Sequence, residues 1–207
     1  MFTSSIGKKL VMGLTGLFLI SFLIIHVSIN ATIFADLFNP DDNGQMFNKA
    51  AHFMASTVLI RILEVGLMAG IVLHIVQGYL LTLQNQKARS TGYAVDMGNK
   101  GSKWYSRSMA ILGTLLLMFL VMHIYHFWTP SRLGGMGNIK AFDTFVLNGV
   151  EYHNLYGEMQ LIFENPFVVI LYVLACGSLA YHLAHGFQSA FKTIGVHNKR
   201  YHTLISV

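Results

Sequence analysis

Four long apolar stretches alternate with short polar connections along the chain. Residues 10 to 34, 54 to 83, 108 to 129 and 166 to 191 are each long enough to cross a hydrocarbon core, which takes about 20 mainly apolar residues at helical rise. The pattern predicts an all-α transmembrane helical bundle with four spans in one domain over residues 1 to 207. The breaks are rich in turn formers: FNPDDNG at 38 to 44, TPSRLGGMGN at 129 to 138 and ENP at 164 to 166. The connection STGYAVDMGNKGSKWYS, 90 to 106, is polar and glycine-dotted, a docking surface or a flexible link.

Composition agrees with a bilayer as solvent. Hydrophobic residues make up 54% of the 207 and charged residues only 11%, with a mean hydropathy of +0.52, where soluble domains carry about 25% charged residues. The first apolar run exceeds the roughly 7–15 residues of a signal-peptide core, so it reads as a retained helix. Basic residues cluster at Lys8 and Lys9, at Lys87, Arg89, Lys100, Lys103 and Arg107, and at Lys192, Lys199 and Arg200. The other connections, 35 to 53 and 130 to 165, collect Asp36, Asp41, Asp42, Asp143, Glu151, Glu158 and Glu164. Positively charged segments stay on the cytoplasmic side, which predicts a multi-pass protein of the bacterial cytoplasmic membrane with its N-terminus inside. The +5 net charge is thus an orientation signal; no basic stripe with interleaved aromatics suggests nucleic acid. One cysteine, Cys176, excludes an internal disulfide framework and a Cys-x-x-Cys-His haem attachment.

Histidines are the unusual feature of the spans, since an imidazole in hydrocarbon needs a partner or a function. His26 lies in the first, His74 in the second, His123 and His126 in the third, and His182 and His185 in the fourth. His26 is 16 residues after Leu10, His74 17 after Thr57, His123 15 after Ser108 and His182 16 after Pro166, which at helical rise is about 24 Å from where each span begins. Odd and even spans run in opposite directions, so His26 and His123 share one depth and His74 and His182 another. The two levels would lie somewhat over about 15 Å apart. A single intramembrane histidine is commonly a packing residue held by a hydrogen bond. Four at matched depths point to paired ligation, and two imidazoles from two facing helices are what six-coordinate haem iron takes. Zinc would want three or four donors at one level, and a proton wire would set carboxylates in series with the histidines. Small residues in LTG, 14 to 16, and GLMAG, 66 to 70, leave room for a flat macrocycle or simply for close helix packing. Spacing does not choose between His123 and His126, or between His182 and His185.

The motifs GLTGLFLISFLIIHVSINATIF, VLHIVQGYL, FLVMHIYHFW and LAYHLAHGFQSAFKTIG, one in each span, resemble the dihaem, single-subunit cytochrome b membrane anchor of succinate dehydrogenase or fumarate reductase. The resemblance covers the whole chain. It implies two haem b groups stacked within the bundle, with His74 and His182 as axial ligands of the one nearer the cytoplasm and His26 and His123 as ligands of the other. It thus selects the first member of each doublet. It also implies a flavoprotein partner, an iron–sulfur partner that feeds electrons to the anchor, and a membrane quinone, often menaquinone. The anchor's share of catalysis would be the quinone reaction, and the chain alone would not oxidise succinate. Two departures stand out. The family has a fifth helix where sixteen residues follow Phe191 here, and Ala180 stands where some dihaem fumarate reductases carry a proton-conducting glutamate. Readings outside the family are a cytochrome b anchor of a hydrogenase or formate dehydrogenase, and a haem-free proton-coupled transporter.

Within the second span Arg61 and Glu64, at i and i+3, either neutralise each other, or Arg61 holds a haem propionate while Glu64 relays protons to a quinone. Ser21, Ser28 and Asn30 are candidates to orient His26, and Gln77 and Tyr79 lie near His74. Trp104 and Trp128 are placed to bracket the third span at the interfaces, and Trp128 to line a quinone pocket. His52, His153, His197 and His202 fall at or outside the membrane surface.

Overall fold

The computed structural model describes residues 4–87 and 108–196. Trp104, His197, His202 and the 90 to 106 connection lie outside the described residues. Four helices are long and apolar enough to cross a membrane: Ile6–Leu37, Val58–Lys87, Met109–Leu133 and Pro166–Thr193. Each carries large apolar side chains on open faces, among them Ile24, Leu59, Val65, Met118 and Val173, which suits lipid contact. A helix is also the form that satisfies its backbone polar groups without water.

The first span is α1 (Ser5–Asn30), tightening into 3-10 turns over Ala31–Leu37. The second, α3 (Val58–Lys87), is preceded by a separate helix α2 (Gln45–Ser56). Thr57, with φ −75° and ψ 121°, divides the two. The third is compound: α4 (Met109–His123), a π-helical turn (Ile124–Trp128) and α5 (Thr129–Leu133). The fourth is α7 (Pro166–Thr193).

The third span corrects the sequence reading, in which TP at 129 and 130 ends the helix. Pro130 has no N–H to offer the carbonyl of His126 and its ring crowds that carbonyl. The chain answers with a wider turn instead of stopping: the N–H of Thr129 bonds the carbonyl of Ile124, five residues back. Helix then continues to Leu133, which brings Arg132 into the span and out of the predicted loop.

The connections from 38 to 57 and from 134 to 165 are also more ordered than expected. Besides α2 they hold a hairpin, β1 (Thr144–Leu147) with β2 (Val150–His153), and a helix α6 (Leu155–Phe163). This hairpin is the one departure from an all-α architecture among the described residues. Asn148 (φ 52°) and Gly149 (φ 78°) both take the left-handed conformation that a two-residue hairpin turn requires.

Contacts divide the chain into two compact units: Met1–Ser21, Leu67–Leu116 and Ala175–Val207 form the first, and Phe22–Gly66 with Leu117–Leu174 the second. In the first unit four helices meet in a ring. Gly13 of α1 lets its backbone approach Ala190 of α7, where an added Cβ would lie 3.6 Å from the Ala190 Cα. Gly70 of α3 receives the Phe18 ring of α1, Tyr79 of α3 bonds Thr114 of α4 at 2.7 Å, and Ser178 of α7 donates to the Leu112 carbonyl of α4 at 3.3 Å. The second unit is held by buried Asn48 of α2. Its amide donates to Asn154 Oδ1 at 3.2 Å and its oxygen accepts from the Tyr156 N–H at 2.9 Å, while Asn154 caps α6. The Tyr156 ring covers Gly44, leaving no room for a side chain there.

Candidate functional site

Each unit contains one pair of facing imidazoles. In the first, His74 of α3 and His182 of α7 have ring centroids 6.4 Å apart and planes inclined by 62°. These helices are not neighbours in the ring of four contacts, so the pair spans its interior. Glycines leave space for both rings. A Cβ at Gly16 would lie 3.5 Å from His74 Cε1, and one at Gly113 3.7 Å from His182 Cε1. Gly16 belongs to the LTG stretch; Gly113 was not anticipated, since no sequence signal ties it to His182. Ile20, Ala180, Leu183, Ala184 and Phe187 form a separate apolar hollow between α1 and α7, whose lining does not include His182.

In the second unit His26 of α1 and His123 of α4 have centroids 5.7 Å apart with planes at 89°. Phe22 stacks on His26 at 5.3 Å, and Phe119 on His123 at 5.5 Å. His126, three residues beyond His123, faces elsewhere: it stacks on Tyr172 at 6.1 Å and 10°, with Nδ1 3.1 Å from the tyrosine hydroxyl. The π turn begins between the two histidines and swings His126 away from the direction an α-helix would give it. His123, and not His126, is the ring brought against His26. On α7 it is His182 that meets His74.

The ring nitrogens differ. His74 Nδ1 lies 3.1 Å from Thr15 Oγ1, and His26 Nε2 lies 3.3 Å from Asn30 Nδ2. Nδ1 of His123 and of His182 are buried with no hydrogen-bond partner among the described residues. Leaving such a group unsatisfied costs about 1–3 kcal/mol, so each pair contains one nitrogen that calls for an outside partner.

Haem is the group to test against this arrangement. Two imidazoles sharing one iron place their ring centroids about 6.4 Å apart, because a metal–imidazole bond is about 2.0 Å and the ring centre lies about 1.2 Å beyond the nitrogen. The His74/His182 spacing agrees with that figure, and the His26/His123 pair is slightly closer. With two imidazoles facing each other in each pair at or near that spacing, the donor set fits the group. Among the described residues no three His, Cys, Asp or Glu side chains gather where they could hold a metal ion, so a site needing three protein donors is not formed there.

Other expectations are revised. Glu64 is held by Arg132 and not by Arg61. Arg132 Nη2 donates to Oε2 at 2.7 Å and Nε to Oε1 at 2.9 Å, while Trp128 Nε1 donates to Oε1 at 2.5 Å. The planar guanidinium matches both carboxylate oxygens, a geometry open to Arg132 once the π turn carries the helix past Pro130. Arg61 stays exposed. Trp128 is therefore a hydrogen-bond donor inside the span. Ser21 and Ser28 bond the carbonyls of Leu17 and Ile24 on their own helix, which leaves Asn30 as the side chain of that trio reaching His26. Gln77 reaches the Lys8 carbonyl at 3.4 Å. His52 packs on Tyr152 at 4.8 Å and His153 on Phe142 at 6.1 Å, both in the connections between the long helices.

Four helices long and apolar enough to cross a membrane, in a mainly α-helical architecture with two imidazole pairs, fit a multi-pass membrane protein. No protein-family model matches the chain, and no curated protein or solved structure matches it.

Proposed function

We propose that the chain is a haem b membrane anchor of the succinate dehydrogenase and fumarate reductase type, passing electrons between an iron–sulfur subunit and membrane quinone. The observation that carries the reading is the pairing of His26 with His123 and of His74 with His182, at 5.7 and 6.4 Å, each from alternate spans. The four span motifs quoted above support the family. Held by these imidazoles, a haem would supply one-electron transfer.

The chain's own part is to hold and orient. His74 and His182 would hold one haem, His26 and His123 the other. Phe22 and Phe119 fix the imidazoles of the second pair by stacking. The Glu64–Arg132–Trp128 clamp ties the second span to the end of the third and so sets the rotation of His123. With both oxygens already bonded, Glu64 is better suited to that clamp than to relaying protons. The flavoprotein and iron–sulfur partners, menaquinone as the quinone and a cytoplasmic N-terminus belong to the same proposal.

Haem quantitation and a reduced-minus-oxidised spectrum on the purified chain test it, with His26→Ala, His74→Ala, His123→Ala and His182→Ala beside the parent. The parent should hold two haems. Each variant should lose one, His26→Ala and His123→Ala the same one. A folded parent without b-type bands would instead favour a haem-free proton-coupled transporter, a reading to which the intramembrane Glu64–Arg132 pair lends some support.

A further inference from the structure

We propose that Thr15 is a positioning residue for His74: its hydroxyl fixes the proton of the imidazole on Nδ1 and so leaves the Nε2 lone pair free to bind a metal. A threonine hydroxyl has one hydrogen to donate and two lone pairs. Thr15 Oγ1 lies 2.8 Å from the Val11 carbonyl oxygen and 3.2 Å from that of Met12, and both of these only accept. The nearest of these acceptors, the Val11 carbonyl, is on its own helix, the usual arrangement for threonine in membrane spans. With the proton given to Val11, Oγ1 accepts from His74 Nδ1, 3.1 Å away, and Nδ1 carries the imidazole proton.

None of the other three paired rings has this arrangement among the described residues. Asn30 reaches His26 through its amide nitrogen, a donor, and so engages the Nε2 lone pair itself. His123 and His182 have no partner at Nδ1. Gly16, next to Thr15, faces the same ring, and a Cβ added there would meet His74 Cε1 at an ordinary 3.5 Å. A ring that donates through one nitrogen binds a metal more strongly through the other, so the electron-rich Nε2 of His74 would favour the oxidised state of the metal. The inference for haem rests on the function proposed above, whereas the tautomer does not.

The experiment uses the full chain in lipid, labelled with 15N-histidine, before and after haem loading. Magic-angle-spinning NMR of the haem-free protein should show His74, assigned by its loss in His74→Gln, protonated at Nδ1. Thr15→Val should abolish that preference and Thr15→Ser should restore it. After loading, Thr15→Val should raise the midpoint potential of one haem, leave the other unchanged and weaken binding of the affected haem about tenfold; Thr15→Ser should behave as the parent. A parent His74 protonated at Nε2 overturns the inference, as does a Thr15→Val protein whose two potentials match the parent's. If no haem loads while Nδ1 is protonated in a Thr15-dependent way, the proposed function fails and the positioning role of Thr15 stands.

Discussion

Replacing Arg132 with methionine should destabilise the protein by about 2–3 kcal/mol, and replacing Glu64 as well should recover most of it. The figure follows from the bridge. Arg132 makes two charged hydrogen bonds to Glu64, 2.7 and 2.9 Å long, and the two side chains are 17% and 18% exposed. Breaking a fully buried pair from one side costs about 3–5 kcal/mol, because the survivor is left charged and unpaired. Partial exposure lets solvent screen that charge and takes the cost below that range. Removing both charges leaves nothing unpaired, and apolar replacements of a buried pair are often close to neutral. Trp128 Nε1 then loses its acceptor, for a residual cost of about 1 kcal/mol. The assay is a double-mutant cycle on the full chain in mixed micelles: reversible unfolding of the parent, Arg132→Met, Glu64→Met and the double variant. Single losses that simply add, to within about 0.5 kcal/mol, would refute the reasoning and show that the bridge carries no coupling.

Asn48→Ala should lower stability by about 1–3 kcal/mol, since it strands the Tyr156 N–H and one bond to Asn154; chemical unfolding measures it. Gly113→Ala should be tolerated, because its methyl would meet His182 at an ordinary 3.7 Å. Gly113→Leu should displace the ring and, on the proposed function, remove one haem from the reduced spectrum while sparing the other. Pro130→Ala should restore a regular α-helix and turn His126 off Tyr172. Tyr172→Phe, costing about 1 kcal/mol in the parent, should then cost nothing in unfolding measurements on the Pro130→Ala background.

The spans were legible because twenty apolar residues in a row leave the backbone few alternatives, and the helix boundaries fall within a few residues of the expected ones. The histidine pairing was legible for a similar reason: equal distance from the start of each span fixes depth, and alternation of direction sorts the four into two pairs. What depth cannot give is azimuth. The choice between His123 and His126 turns on where a π turn falls, and that depends on Pro130 reaching back to His126. The partner of Glu64 was hidden by the same proline, which reads as a stop in a turn-rich segment yet is absorbed by the helix. The connections between the long helices were read as loops because their hydropathy is mixed, although TFVL and VEYH on either side of Asn148-Gly149 carry a local hairpin signal. Thr15 and Gly113 are ordinary span residues in sequence, and only the approach of another helix gives them a role.

Pairing between alternate spans also sets a schedule for synthesis. A chain emerging from its N-terminus can bring His26 and His123 together once the third span has been inserted, whereas His74 must wait for α7 before meeting His182. Each imidazole of the early pair thus finds its counterpart one span before the later pair can close. A chain arrested before Pro166 would therefore carry one finished pair and one solitary ring.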